Sequence, residues 1–292
     1  MTKVIVCQDG SRHRYAIPHL LHDAGRLSAL YTTSCAYSPL GRFAALAAKV
    51  FPLGPIRRLA NRKVDLPMHL VSASDILLFW TLFHKKRNPR EWGERKHRVL
   101  SRRMIKWGLR DCDVVFSMYS ECYDFIRYAK AHGKRVVVDV FITPLSDYLI
   151  ADFEWLSGDR KTERPASEDY PHLKECLDVA DLISCPSTFV RDSILALWPD
   201  LKEDRIVICP YGSSIDYDGA VNKPTRGRFF WAGGDWKRKG LPALAAAADI
   251  LLKKYPDMEF RAAGVTDCQV VSMPCFRNIH FLGKLDAAAM KE

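Results

Sequence analysis

The sequence lacks the spacings and runs that announce several common protein classes. Its nine cysteines (7, 35, 112, 122, 176, 185, 209, 268 and 275) form no CxxC pair. Several of them sit inside apolar strand-like runs, where a thiol behaves as a small hydrophobe, so neither a structural zinc nor a disulfide framework is expected. No apolar h-region follows Met1, and the longest apolar window, Leu241 to Leu252, is short and interrupted by Asp249. The expectation is a cytoplasmic chain without a spanning helix. GxxxxGK[ST] and GxGxxG are both absent, which removes the signatures of a P-loop hydrolase and of a dinucleotide-binding turn. No RNP, KH, zinc-finger or helix-turn-helix pattern accompanies the basic runs, so nucleic acid is not the expected partner.

Acidic residues are missing where basic ones crowd. Residues 41–63 carry Arg42, Lys49, Arg57, Arg58, Arg62 and Lys63 among Phe43, Leu46, Val50, Phe51, Leu53 and Ile56, with no Asp or Glu. From Lys85 to Arg110 eleven Lys and Arg face only Glu91 and Glu94, with Trp92, Leu100, Met104, Ile105 and Trp107 interleaved. Much of the formal charge of +10 lies there. A basic amphipathic face suits anionic lipid headgroups, at about 1 kcal/mol per cation near the surface. The same pattern also describes an ordinary helix with a charged outer side.

What is present reads as α/β. At 292 residues and 48% hydrophobic content the chain has room for about two domains with real cores. Lys3 to Cys7 (KVIVC) is a buried-strand run. Gln8 to Arg14 is a polar loop, and a helix is expected over Tyr15 to Ala24. Further apolar runs at Leu27–Tyr31, Asp113–Met118, Arg135–Val140, Leu182–Pro186 and Arg205–Pro210 alternate with helical segments. Such alternation means parallel strands with crossover helices. Ligands in such sheets bind beyond the carboxyl ends of the strands, which places Gly10, Ser11, Arg12 and His13 where a site would be.

The most informative stretch is Arg228 to Leu252, RFFWAGGDWKRKGLPALAAAADILL. Phe229 to Ala232 read as a buried parallel strand, and Gly233 and Gly234 as a turn that a ligand backbone can approach. Lys237, Arg238 and Lys239 add three cations, and Gly240 and Pro242 mark a helix start whose free N–H groups favour an anion. A diphosphate fits that arrangement. Asp218 to Arg226 reads as a linker, which sets the expected domains at 1–222 and 223–292.

Three segments in this order resemble family 4 glycosyltransferases of the GT-B fold. They are ADLISCPSTFVRDSIL, RIVICPYGSSID and the G-x-D-W-x-R-K-G turn made by Gly233, Asp235, Trp236, Arg238, Lys239 and Gly240. The resemblance implies two Rossmann-like doubly wound domains, an acceptor-side N-terminal one and a nucleotide-sugar-side C-terminal one. It implies a hexosyltransferase-type enzyme that transfers a sugar from a nucleotide-sugar, with retention and without a metal or other cofactor. A glycan or lipid-linked acceptor in cell-envelope or polysaccharide synthesis would follow, with peripheral contact at the inner membrane face. Donor-diphosphate residues would be Gly233, Gly234, Asp235, Arg238 and Lys239; by position, Ser117, Asp139 and Thr143 are acceptor-side candidates.

The sequence departs from the family at Tyr211, where Asn usually precedes the turn glycine, and at Phe141 to Pro144, where many members carry a histidine. The family's E-x7-E segment would fall beyond Glu292, and the second domain is expected to be incomplete. The alternative reading is a non-catalytic remnant that binds an anionic membrane surface.

Overall fold

The computed structural model describes residues 1–48, 50, 56, 59–83, 89–145, 171–212, 224–285 and 289–290. The chain divides into two compact units: Met1–Thr143 with Ser167–Ser214, and Pro144–Ala166 with Ile215–Glu292.

In the first unit seven strands form one parallel sheet: β1 (Val4–Gln8), β2 (Leu27–Thr33), β3 (Val71–Ser74), β4 (Val114–Met118), β5 (Arg135–Asp139), β6 (Leu182–Cys185) and β7 (Ile206–Ile208). Their order is β3-β2-β1-β4-β5-β6-β7. Crossovers run through α1 (Ala16–Asp23), α2 (Pro39–Ala47), α3 (Ile76–Phe83), α4 (Pro89–Trp107), α5 (Tyr123–Ala131), α6 (Pro171–Val179) and α7 (Thr188–Leu197). The strands form because runs such as Val4–Cys7 and Val136–Val138 are apolar throughout, as suits a sheet with helices on its faces.

On one face Ile5, Val115, Val136, Val138 and Ile183 pack with Leu100, Met104, Phe125, Ile126 and Ile194; on the other Val6, Leu27 and Leu30 pack with Tyr15, Val64 and Leu66. Each fully buried large side chain of this kind contributes about 1.5–3 kcal/mol. Six cysteines (7, 35, 112, 122, 176 and 185) are buried free thiols, and burial raises the titration of Cys7 and Cys176 well above the ordinary thiol range. Ser187 caps α7 by accepting from the Val190 N–H at 3.4 Å.

The order of this sheet decides where a site can form. Connections run from β1 towards β2 on one side and return to β4 on the other, so the loops after β1 and β4 part and leave a crevice at the carboxyl ends.

The second unit contains β8 (Arg228–Ala232), α8 (Leu241–Lys254), β9 (Glu259–Ala263), α9 (Cys268–Val271) and β10 (His280–Gly283). Its strands are parallel in the order β10-β9-β8. Phe260, Ala262 and Val265 bury against Leu241, Ala245 and Ala248 of α8. The expectation that Phe229 to Ala232 are buried needs correcting. Phe229 and Phe230 are 40% and 52% exposed, because β8 is an outer strand of the described three, although the Phe229 ring stacks on Phe260 at 4.9 Å.

Candidate functional site

The crevice between β1 and β4 is lined by charged groups that the sheet topology forces together. Beyond β1, the fully buried Gln8 donates from Nε2 to the Gly10 carbonyl at 2.8 Å, and the Gly10 N–H donates to Thr33 Oγ1 at 2.9 Å. Beyond β4, the buried Glu121 accepts from the Asp9 N–H at 2.7 Å and from Arg12 Nε at 2.7 Å. Lys96 of α4 closes the set by pairing with Asp9. Two anions and two cations thus bridge the loops on either side of the crevice.

The electrostatics follow from burial and pairing. Burial pushes the Glu121 carboxyl up to about 7, although the Arg12 charge pulls the other way. Burial acts to raise the Asp9 carboxyl too, but the charge and hydrogen bond of Lys96 outweigh it and hold Asp9 below its ordinary value. His97, next to Lys96, is pushed down to about 4 by burial first and then by the Lys96 charge. It is a neutral imidazole at neutral pH.

The turn into α1 is strained. His13, Arg14 and Tyr15 have φ of 47°, 52° and 62°, a left-handed stretch that costs roughly 1–2 kcal/mol per non-glycine residue. It is held because Tyr15 is buried in the Val6–Leu30 cluster and Arg12 is fixed by Glu121. Strain of this kind concentrates at functional sites. Here it sets the His13 ring against the Tyr211 ring at 4.4 Å between centroids.

Behind that pair stands Asp139 at the end of β5, accepting from Tyr211 OH at 2.5 Å and from Ser184 Oγ. Burial raises the Asp139 carboxyl, and those two hydroxyls offset part of the rise. Arg12 also lies over the Phe141 ring at 4.4 Å, and Phe141 meets Tyr119 at 5.4 Å.

Of the residues expected from sequence, Gly10, Arg12, His13 and Asp139 converge on this crevice. Ser11 is exposed on the same loop, and its carbonyl accepts from the Arg14 N–H at 3.0 Å. Thr143 is buried in the stretch after β5. Ser117 is fully buried within β4, and its Oγ has no hydrogen-bond partner among the described residues; period-two alternation along the strand turns it into the sheet's packing. Glu121, Lys96 and Tyr211 were not expected. Glu121 is the first acid after an apolar strand, a signal too common to single it out. Tyr211 stood out only as a departure from the family pattern.

The second unit's turn is built from its own hydrogen bonds. Gly233 N–H donates to the Ala263 carbonyl at 3.0 Å, and Trp231 Nε1 to the Lys239 carbonyl at 2.8 Å. Asp235 holds Arg238 by two contacts, from its backbone N–H at 3.2 Å and from Nε at 3.1 Å. The expectation of free N–H groups at the start of α8 holds only in part. Leu241 N–H donates to Trp236 O and Leu244 N–H to Gly240 O, while Pro242 has no N–H. The Lys237, Arg238 and Lys239 side chains are exposed. Gly264, at φ 100°, backs the turn: a Cβ there would stand 2.6 Å from the Gly233 oxygen.

No family model and no curated protein matches the sequence. Solved structures do resemble it in shape. A trehalose-6-phosphate synthase studied for glycosyltransfer with retention aligns with a TM-score of 0.55 at 13% identity, over 99% of this chain and 74% of the other. The fold is GT-B. Another trehalose-6-phosphate synthase structure gives 0.54 at 14% identity, over 99% and 75% of the two chains. A UDP-N-acetylglucosamine 2-epimerase from Rickettsia bellii gives 0.50 at 12%, over 99% and 71%. At such identities the likeness is one of fold.

Proposed function

We propose that this chain is a nucleotide-sugar-dependent glycosyltransferase, acting on a glycan or lipid-linked acceptor in cell-envelope or polysaccharide synthesis. The observation that supports it most is the pairing, in one GT-B chain, of a switch-point crevice at Arg12, His13 and Asp139 with a strand-turn-helix carrying exposed Arg238 and Lys239. Proteins of like fold include synthases that form glycosidic bonds, and the glycosyltransfer studied in one of them retains configuration.

In this reading the second unit takes the donor. As the sugar–phosphate bond breaks, negative charge grows on the departing diphosphate. Arg238, oriented by Asp235, and Lys239 stabilise that charge more than the ground state, which is what lowers a barrier. Gly233 and Gly234 let the phosphates approach the backbone. No metal is assigned a role.

The first unit takes the acceptor. His13, exposed on the strained turn together with Arg14, is fixed by its contact with Tyr211, which Asp139 holds in turn. We assign His13 the task of orienting the acceptor hydroxyl, with Asp139 and Tyr211 as positioning residues. Arg12, held in place by Glu121, shapes the crevice wall.

The test is a panel of UDP-, GDP- and ADP-sugars incubated with the chain and extracted envelope glycans. The expected result is release of nucleoside diphosphate that depends on acceptor and falls about a hundredfold or more in His13→Ala, the size usual for a positioned polar catalytic group. Conversion of a UDP-sugar into its epimer without acceptor would point instead to epimerase chemistry on this fold. Absence of binding to every donor would overturn the proposal.

A further inference from the structure

Four rings stand at the carboxyl edge of the first unit's sheet. His13 follows β1, Tyr119 follows β4, Phe141 follows β5 and Tyr211 follows β7. Rings that fill the core, such as Tyr31 and Phe125, are fully buried, whereas Tyr119 and Phe141 are half-buried and His13 and Tyr211 are exposed. A large aromatic side chain left at an edge forgoes part of the burial that would stabilise the fold.

Backbone and contacts draw these rings together. Tyr119 has φ 50° and His13 φ 47°, so the loop on each side of the crevice holds a ring-bearing residue in the left-handed region. The Tyr119 turn is secured by its N–H, which donates to the Asp139 carbonyl at 2.8 Å. Its ring stands 5.4 Å from that of Phe141, two residues beyond Asp139. Arg12 covers the Phe141 ring at 4.4 Å, and the next residue, His13, meets Tyr211 at 4.4 Å. The two ring pairs therefore meet at consecutive residues of one loop.

The chemistry of this stripe fits a sugar ring. A pyranose has a face of C–H groups made slightly positive by their oxygens, which the negative face of an aromatic ring attracts. It also has a rim of hydroxyls that need hydrogen-bond partners. The aromatic rings supply the first, and the imidazole nitrogens of His13 supply the second. An acyl chain has no use for polar groups, and Glu121 and Asp139, which hold Arg12 and Tyr211, would be left against hydrocarbon.

We propose that Tyr119, Phe141 and Tyr211 form a subsite for a pyranose ring of the acceptor, with its C–H face on the aromatic rings and a hydroxyl on His13. This deepens the assignment of the first unit to the acceptor and rests on that reading. The group that enters the crevice is then a sugar residue, whatever carries it. Tyr119 and Phe141 also select which sugar enters, because an axial hydroxyl on the stacked face would hold the ring away from both.

The experiment is saturation-transfer NMR of the full chain with methyl glycosides of glucose, galactose, mannose and N-acetylglucosamine, in both anomeric forms and without any donor. At least one is expected to bind, with saturation strongest on the protons of one ring face. Phe141→Leu, and separately Tyr119→Gly, which a φ of 50° accepts, should each weaken binding about tenfold or more with the circular dichroism unchanged. Phe141→Tyr, which keeps a ring, should stay within about threefold of wild type, and so should Phe43→Ser, which removes an exposed ring elsewhere. No saturation of any glycoside, equal binding by both ring-deleting variants, or a loss as large in Phe43→Ser would overturn the proposal. So would uridine or adenosine signals that Phe141→Leu abolishes while the glycosides give none. Donor-dependent release of nucleoside diphosphate without glycoside binding would remove this subsite and leave the transferase reading standing; glycoside binding at these rings without turnover would do the reverse.

Discussion

Glu121 accepts from both Arg12 Nε and the Asp9 N–H at 2.7 Å, so one buried carboxylate ties the loop after β4 to the loop after β1 across the reversal in strand order. The crevice of the first unit is shaped by that link. Its chemistry gives a first prediction.

A carboxyl raised from about 4.5 to about 7 binds its proton in the folded chain over a range where the unfolded chain has lost it. Its contribution to stability is therefore complete below about pH 4.5 and disappears as pH rises through 7, by up to about 3 kcal/mol. Glu121→Gln removes this titration. The stability of wild type relative to the variant, from urea unfolding at several pH values, should fall between pH 5 and pH 8. His97, lowered to about 4, acts in the opposite sense and is common to both proteins. A constant difference across that range would contradict the assignment.

Tyr211→Phe keeps the ring against His13 but deletes the donor to Asp139. The buried carboxyl is left one hydrogen bond short, at a cost of about 1–3 kcal/mol. The Tyr211 bond holds the Asp139 titration down, so the variant's carboxyl should titrate at higher pH by carbon-13 NMR. An unchanged titration and unchanged stability together would show that the contact does not form in solution.

Much of the fold was legible in the sequence, and the reasons are physical. Runs such as Val4–Cys7 and Val136–Val138 are apolar without alternation, which only a strand covered on both faces requires, and they became strands of one parallel sheet. Ser187 was recognisable as a helix cap because a short hydroxyl side chain precedes an apolar periodic run. The site was legible in half. Loop residues immediately after a strand, such as Arg12 and His13, are placed by topology alone. Glu121 and Lys96 lie 112 and 87 residues from Asp9, and no local pattern carries a pairing at that separation. Phe229 to Ala232 misled because aromatic composition reports a strand but not its place in the sheet: an outer strand and a central one can read alike.

Gly264 offers a way to disturb the second unit's turn without touching a charge. An alanine there combines a disfavoured φ of 100° with a Cβ 2.6 Å from Gly233 O, so the turn must shift. The expected cost is on the order of 1–3 kcal/mol. It should be confined to the second unit, with nucleoside-diphosphate affinity weakened and amide protection of Val4 to Val6 unchanged. Loss of protection in both units alike would argue against independent stabilisation.

Exposure on β8 has its own consequence. An outer strand with half-exposed rings opens more readily than strands covered on both faces. Amides of Phe229 to Trp231 should exchange faster than those of Val4 to Val6 and Val136 to Val138, by about a hundredfold or more, which corresponds to some 3 kcal/mol of local opening. Equal protection would indicate that β8 is covered in solution.

The central claim, that the turn Gly233–Gly240 receives a nucleoside diphosphate, is tested most directly by calorimetric titration of the chain with UDP, GDP and ADP. Saturable binding to at least one of them is predicted, with affinity reduced about a hundredfold or more in Arg238→Ala with Lys239→Ala, since each charge-assisted contact contributes about 1.5–3 kcal/mol. No heat with any of the three, or the same affinity in the double variant, would contradict it.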